Sequence, residues 1–305
     1  MREARLAVEG LETVLRTSAG GFPAIADVSF TLSPGETLCL VGESGSGKSM
    51  TALSIMRLLP AAARVNAGRI MLGDIDLAAI SDSQMRGIRG RRVAMVFQDS
   101  MTSLNPVLTI GRQITESMER HLGISSAAAR KRAVALLNDV GVPAAAARID
   151  QYPHQLSGGL RQRAAIAIAL AAEPDFLIAD EPTTALDVTT QAQILDLLAE
   201  QQVSRGMGLL MITHDVGVVA RMATTVCVMY AGRIVEKAPC RMLFGNPRHP
   251  YTRGLLNSVP RMDTDVSAPL VSIPGSPPLV YDLPQGCAFQ PRCGLAFEPC
   301  RAQRP

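Results

Sequence analysis

Gly42-Glu43-Ser44-Gly45-Ser46-Gly47-Lys48-Ser49 is the stretch from which the rest of the chain is read. An apolar run, Thr37-Leu38-Cys39-Leu40-Val41, precedes it, and a segment of helical character, Met50 to Leu59, follows. Strand, glycine-rich turn and helix start, in that order, are what a phosphate-binding loop requires. Glycines let backbone N–H groups approach phosphate oxygens without a Cβ in the way, and the helix dipole favours the anion. In such a loop Lys48 reaches the β- and γ-phosphates and the Ser49 hydroxyl sits on Mg²⁺. The pattern predicts a chain that binds a nucleoside triphosphate, with Gly42 through Ser49 and Met50 as contacts.

Outward from the loop, residues Leu6 to Leu32 read as short strands around a turn at Ser18-Ala19-Gly20-Gly21. Ser33-Pro34-Gly35-Glu36 is a turn into the strand of the loop. Gly68 to Gly73 reads as a short strand and turn, and Arg92 to Gln98 as a buried strand ending in a polar residue. From about Ser103 to Ala172 the pattern is helical: Ile110, Ile114, Met118 and Leu122 recur at helical spacing, as do Ala133, Leu136, Leu137 and Val140. Phe176 to Asp180 resumes as a buried strand, followed by an amphipathic helix from Val188 to Val203 and a strand from Gly208 to Thr213. Thr224 to Tyr230 and Arg233 to Glu236 pair as a hairpin across Ala231-Gly232. Strands alternating with helices predict an α/β fold with a mostly parallel sheet and a helical insertion. Beyond Pro239 the prolines at 247, 250, 260, 269, 274, 277, 278 and 284 break any long element, so an appended, loop-rich segment is expected.

A chain of 305 residues holds one large or two smaller domains, each with a core. Although 47% of residues are hydrophobic, the longest apolar run, Ala164 to Ala172, is far short of the ~18 residues of a membrane-spanning helix. Met1-Arg2-Glu3-Ala4-Arg5 lacks the apolar core of a signal peptide, which predicts a cytosolic chain. A net charge of +3 is too mild to imply nucleic acid. Arg86, Arg89, Arg91 and Arg92 form one basic cluster, either a solvated face or an anion or lipid contact. Of the six cysteines, Cys39 and Cys227 lie in apolar runs as small core residues, and Cys240 stands apart. Cys287, Cys293 and Cys300 crowd the last stretch, where clustering in a cytosolic chain points to metal more than to disulfides.

Leu156-Ser157-Gly158-Gly159-Leu160-Arg161-Gln162-Arg163 is a second glycine-opened helix start able to hold phosphate, though alone it reads equally as a routine cap. Shortly after it, Phe176-Leu177-Ile178-Ala179 runs into Asp180 and Glu181. An acid ending a buried strand is where P-loop enzymes hold Mg²⁺, and the adjacent Glu181 is placed to orient or deprotonate the attacking water. A plain helix cap leaves two acids directly after a buried strand unexplained. His214 ends the apolar strand Leu209 to Thr213, parallel to Asp180 and Glu181, which favours a phosphate contact over a structural histidine.

Together these residues resemble the ATPase subunits of the ABC (ATP-binding cassette) superfamily. The order is phosphate loop (Walker A), Gln98 (Q-loop), Leu156 to Leu160 (signature), Phe176 to Glu181 (Walker B), Thr184-Ala185-Leu186-Asp187 (D-loop) and His214 (switch histidine). The likeness covers residues 6–240, with Leu160 standing where the commonest signature has Gln. No aromatic lies near Leu15, where the family often stacks a ring on adenine; Phe22 is the substitute within reach. A finer resemblance is to the oligopeptide/dipeptide importers, through Met95 to Pro106, Tyr152-Pro153-His154-Gln155, His249-Pro250-Tyr251-Thr252-Arg253-Gly254-Leu255-Leu256 and the Cys287 to Cys300 cluster.

The resemblance implies a P-loop ATPase core over residues 1–240, with an antiparallel β subdomain and a helical subdomain at about 103–172, and an importer-type extension over 241–305. It implies ATP and Mg²⁺ as ligands: Lys48 and Ser49 on phosphates and metal, Asp180 on the metal, Gln98 sensing the γ-phosphate beside it, Glu181 as general base and His214 on the γ-phosphate. Ser157, Gly158, Gly159 and Leu160 would serve the ATP of a second ATPase subunit docked head to tail, with Asp187 linking the two sites. Further implied partners are two membrane permease subunits, docked near Gln98 to Pro106, and an extracytoplasmic binding protein, with the chain peripheral on the cytoplasmic face of the inner membrane. Peptides, nickel chelates, glutathione and sugars are all cargoes of relatives. Some members hold a [4Fe–4S] cluster in the cysteine-rich tail, which takes four thiolates. Cys287, Cys293 and Cys300 are three, so a fourth beyond Pro305 or a tail of unliganded thiols both stand open. An ABC ATPase acting on DNA or the ribosome, a P-loop kinase or GTPase, and an iron–sulfur sensor are the rival readings. No coiled-coil insertion or second cassette supports the first, and Ser157-Gly158-Gly159 with His214 argues against the second.

Overall fold

Alternating apolar residues at the start of the chain fold as two long strands rather than several short ones. The computed structural model describes residues 5–18, 20–99, 103–258, 272–279 and 281–304. β1 (Leu6–Thr17) and β2 (Gly20–Leu32) pair antiparallel from Leu6↔Leu32 to Thr17↔Gly20. Register shifts between Val8 and Val14 bend the pair while keeping Leu6, Val8, Leu11, Ile25, Val28 and Phe30 on the buried side. β3 (Thr37–Val41) is buried along its whole length. β4 (Ala63–Leu72) pairs with β1 and is longer than the Gly68 to Gly73 strand expected from sequence, because β1 offers its other edge as far as Leu15↔Ala63. With β5 (Ile75–Asp76) these strands form an antiparallel sheet of order β2-β1-β4-β5.

The chain divides into two compact units, the first made of Met1–Leu32, Thr37–Ala78 and Ile212–Pro305, the second of Ser33–Glu36 and Ala79–Met211. In the first unit, β3 pairs in parallel with β9 (Thr225–Tyr230), and β9 turns back into β10 (Arg233–Pro239). The Ala231-Gly232 turn has φ of 46° and 80°, the left-handed pair that matches the twist of a two-residue hairpin. The helix after the phosphate loop spans Lys48–Met56, ending before the Leu59 expected from sequence. Arg57 takes a left-handed φ of 50° and donates its N–H to Leu53 and Ser54 carbonyls, and Pro60 disfavours helix at the residue before it.

The C-terminal segment is not a loose appendage. Helices Cys240–Gly245 and Pro250–Asn257 and short 3-10 turns at Gln290–Arg292 and Glu298–Arg301 carry Leu243, Tyr251, Leu255 and Phe289 into the core of the first unit. Tyr230 on β9, Tyr251 and Phe289 pack tilted and edge-to-face on one another with ring centroids 4.6–5.4 Å apart.

In the second unit β6 (Val93–Val96) pairs in parallel with β7 (Phe176–Asp180), from Val93↔Phe176 to Val96↔Ala179. With it go the helices Asp82–Ile88, Ile110–Leu122, Ser126–Asp139, Ala145–Arg148, Gly158–Leu170 and Val188–Arg205. Thr109, Ser125, Ser157 and Asp187 each cap the following helix with a side-chain oxygen. β8 (Gly208–Thr213) carries the chain into the first unit, the boundary falling after Met211. Two members of the basic cluster serve the fold: Arg91 donates to the Ala172 and Glu173 carbonyls at 3.1 Å, just past the helix Gly158–Leu170, and Arg92 pairs with Asp175. Cys39 and Cys227 are fully buried, and desolvation, reinforced by Cys240 and Cys227, pushes the Cys39 thiol up.

Ile178→Ala, which hollows out a fully buried position on β7, is expected to cost about 2–5 kcal/mol in urea unfolding. Val203→Ala, at a position 76% exposed, should stay within about 0.5 kcal/mol of the wild type.

Candidate functional site: a phosphate loop and a clamped carboxylate

The chain leaves β3 at Gly42 so close to β9 that a Cβ there would lie 2.1 Å from the Met229 carbonyl oxygen. No side chain fits, and this closeness fixes where the loop starts. Lys48, only 4% exposed, turns back over its own loop. Its Nζ donates to the carbonyls of Gly42 at 2.7 Å and Glu43 at 2.9 Å, and to Ser46 Oγ at 3.4 Å. A buried ammonium must be surrounded by acceptors, and the loop supplies them. Gly45, at φ 77°, has open space where a Cβ would point, and Ser44 beside it is exposed. Ser49 and Met50 are half-buried at the start of the helix.

Glu43 is engaged from elsewhere in the same unit. Its N–H donates to Tyr251 Oη at 2.9 Å, and its carboxylate takes both ends of the Arg292 guanidinium, at 2.7 and 3.0 Å. Tyr251 belongs to a stretch the sequence reading quotes without a role, and Arg292 is absent from that reading. Its only signal is its place between Cys287 and Cys293.

Parallel pairing of β6 with β7 explains the next contact. Val96 stands opposite Ala179, so two residues further on Gln98 and Glu181 come level. Gln98 Nε2 donates to Glu181 Oε2 at 3.0 Å, and Thr184 Oγ1 donates to the same oxygen at 2.9 Å. Glu181 has a left-handed φ of 45°, a conformation a non-glycine residue keeps only when its surroundings hold it. Asp180, the last residue of β7, is 4% exposed.

Ser157 caps the helix Gly158–Leu170, accepting from the Leu160 N–H at 3.4 Å. A Cβ on Gly159 would lie 2.8 Å from Thr190 Cγ2, and one on Gly158 3.9 Å from Leu186 Cδ2. The glycine-opened helix start therefore abuts the stretch around Asp187. Asp187 accepts from the Thr190 N–H at 2.9 Å and its hydroxyl at 2.7 Å, bonds that hold its carboxyl below the usual range. His214 is exposed between β8 and the helix Val216–Met222, in the unit that carries the phosphate loop.

Two expectations meet other facts. Phe22, opposite Leu15 across β1 and β2, packs edge-on against Tyr281 at 6.0 Å. Among the described residues no three His, Cys, Asp or Glu side chains gather as a metal-holding group. Cys287 donates its N–H to the Cys300 carbonyl at 2.9 Å, so their backbones touch, yet the three tail thiols do not converge. Among the described residues, Cys287, Cys293 and Cys300 do not form the convergent set of thiolates that a [4Fe–4S] cluster takes. The Met101 to Pro106 stretch lies partly outside the described residues, with Leu104 buried and Val107 75% exposed.

The ABC transporter family pattern matches residues 25–184, and that of the oligopeptide/dipeptide transporter C-terminal region matches 235–300. Over its whole length the chain is 55% identical to a Brucella abortus protein named "Putative peptide import ATP-binding protein", covering 93% of it. It is 52% identical to the dipeptide transport ATP-binding protein DppD of Bacillus subtilis, over 94% of this chain and 86% of that one. The dimeric bacterial ABC transporter cassette MJ0796 superposes with a TM-score of 0.69 at 28% identity, over 77% of this chain and 99% of that one. Its post-hydrolysis state bound to ADP and phosphate gives 0.70 at 27%, over the same shares. The chain belongs to the ABC transporter family, as an ATPase with the C-terminal region of the oligopeptide/dipeptide transporters. No described helix is long and apolar enough to cross a membrane.

Gly42→Ala is expected to displace the phosphate loop from β9 and weaken Mg·ATP binding more than about tenfold, read by calorimetric titration, because the added methyl meets backbone oxygen that cannot swing aside.

Proposed function

We propose that this chain is the ATP-hydrolysing motor of a peptide importer, working on the cytoplasmic face of the membrane beneath a permease. The observation that carries the reading is the clamp on Glu181: a carboxylate beside the end of a buried strand, fixed by the Gln98 amide and the Thr184 hydroxyl. The peptide cargo rests on the likeness to peptide import and dipeptide transport relatives. Residues 1–240 act as the ATPase, with the helical part at about 103–172, and 241–305 as the importer-type extension.

In this reading Gly42 through Ser49 and Met50 bind the phosphates through backbone N–H groups, with Lys48 on the β- and γ-phosphates. Ser49, Asp180 and Gln98 offer the hard oxygen donors that Mg²⁺ prefers, and Mg²⁺, when bound, neutralises charge on the phosphate oxygens. Glu181 takes a proton from water as its oxygen attacks the γ-phosphorus, and the bond to the β-phosphate oxygen breaks with its electron pair leaving on ADP. Gln98 and Thr184 keep that carboxylate aimed, and His214 steadies the charge developing on the γ-phosphate. Ser157, Gly158, Gly159 and Leu160 act on the ATP bound by a second, homologous ATPase subunit, and Asp187, capping the neighbouring helix, ties the two sites. Because Gln98 lies just before Met101 to Pro106, where the permease docks, the γ-phosphate's presence is reported along one short stretch to the membrane. An extracytoplasmic binding protein delivers the peptide.

Glu181→Gln should bind Mg·ATP within about threefold of wild type yet lose more than about 100-fold in phosphate release, whereas Lys48→Ala weakens both. A Glu181 variant with full turnover would remove the assigned base. Head-to-tail pairing is read by joining Ser46→Cys of one subunit to Ser157→Cys of another: crosslinking that needs ATP supports it, and none under any nucleotide condition rejects it.

A further inference from the structure

The residue that opens the phosphate loop has every one of its polar groups spoken for. The Glu43 carbonyl accepts from Lys48 Nζ at 2.9 Å, its N–H donates to Tyr251 Oη at 2.9 Å, and both carboxylate oxygens accept from Arg292 at 2.7 and 3.0 Å. Two of these three holds come from the C-terminal segment, more than 200 residues away along the chain: the separations are 208 and 249.

Arg292 is built for this one task. Its side chain is 5% exposed, against 28% for Glu43. Besides the two bonds to Glu43, Nε donates to the Pro274 carbonyl at 2.8 Å, Nη2 to Ile273 at 3.4 Å and Nη1 to Tyr230 Oη at 3.4 Å. A guanidinium has five N–H donors, and five acceptors stand around it. Tyr230 and Phe289 present their rings to it, with the guanidinium carbon 5.8 and 6.0 Å from the centroids. The Glu43 hydrogen bonds, foremost among several causes, push the guanidinium's pKa up.

This arrangement does two things to a loop that receives polyphosphate. It cancels the Glu43 carboxylate, which would otherwise leave an unpaired negative charge on the loop that receives an anion. It also fixes the Glu43 backbone whose carbonyl, with that of Gly42, cradles the Lys48 ammonium. We propose that Arg292 and Tyr251 are positioning residues of the ATP site, so that the docked C-terminal segment sets the charge and shape of the phosphate loop and with them the affinity for nucleotide. This deepens the reading above and rests on Gly42 to Ser49 being the ATP site. It assigns the extension a role in the ATPase itself, independent of any metal.

The test uses the full chain and Mg·ATP followed by isothermal titration, with the thermal midpoint without nucleotide recorded for each variant. Arg292→Met should raise the Kd about tenfold, the effect of one unscreened charge near the phosphates. Arg292→Lys, which keeps the charge and loses the fork, should fall between that variant and wild type. The double variant Glu43→Gln/Arg292→Met should regain most of the affinity, since the orphaned carboxylate is gone, although its thermal midpoint stays lowered. Tyr251→Phe should weaken binding with little change in midpoint. An unchanged Kd in Arg292→Met overturns the proposal, as does a Kd in the double variant that remains as poor as in the single one. If Arg292→Met does not fold, Arg292→Lys and Tyr251→Phe decide, and unchanged affinity in both overturns it. A wild-type chain that fails to bind Mg·ATP removes the ATP-site reading itself, a result distinct from all of these.

Discussion

A lysine ammonium buried among the carbonyls of its own loop is the interaction on which the first unit's chemistry depends. Lys48 sits there because Gly42 lets the loop start hard against β9, and because the helix behind it begins at Lys48 itself. Burying the charge without acceptors would cost several kcal/mol, so the loop must hold the shape that provides them. The same carbonyls that satisfy the ammonium thereby fix the direction of the loop's remaining N–H groups, which is what a polyphosphate would read. The aromatic packing of Tyr230, Tyr251 and Phe289 stands behind this, giving the Glu43 side of the loop a rigid wall.

In the second unit the governing constraint is strand register. Parallel strands place equivalent positions level with one another, so a one-residue slip of β6 on β7 would part Gln98 from Glu181 and turn every buried side chain to the opposite face. Buried apolar side chains along both strands, Val93 to Val96 and Phe176 to Ala179, hold that register. Two groups 83 positions apart in sequence are thus brought level by hydrophobic burial of their strands, and the Gln98–Glu181 hydrogen bond then joins them.

The order of elements and the motif-bearing turns could be read from sequence because each has a local cause. The phosphate loop is signalled by its glycines and flanks, the Ser157 cap by Ser-Gly-Gly, and the Ala231-Gly232 hairpin by its turn residues. What escaped was non-local. The length of β4 depends on the edge of β1 that it meets. Arg292 escaped for the same reason: nothing in Gln290-Pro291-Arg292 announces a carboxylate 249 positions earlier. Beyond Pro239 the described elements are short, as the prolines led one to expect, yet the composition gave no sign that Leu243, Tyr251, Leu255 and Phe289 would be buried in the core of the first unit. The cysteine cluster left both a metal site and unliganded thiols open, since spacing alone says nothing about whether thiols converge.

Four of the six thiols are partly open to solvent, Cys240 and the three of the tail. Cys39 and Cys227 lie sealed between strands. An alkylating reagent therefore meets Cys240 and the tail first and the sheet only on global unfolding. The protein consequently carries a native reporter at the end of the chain, and the pace at which Cys287, Cys293 and Cys300 react, told apart from Cys240 by peptide mapping, measures how firmly that end is seated.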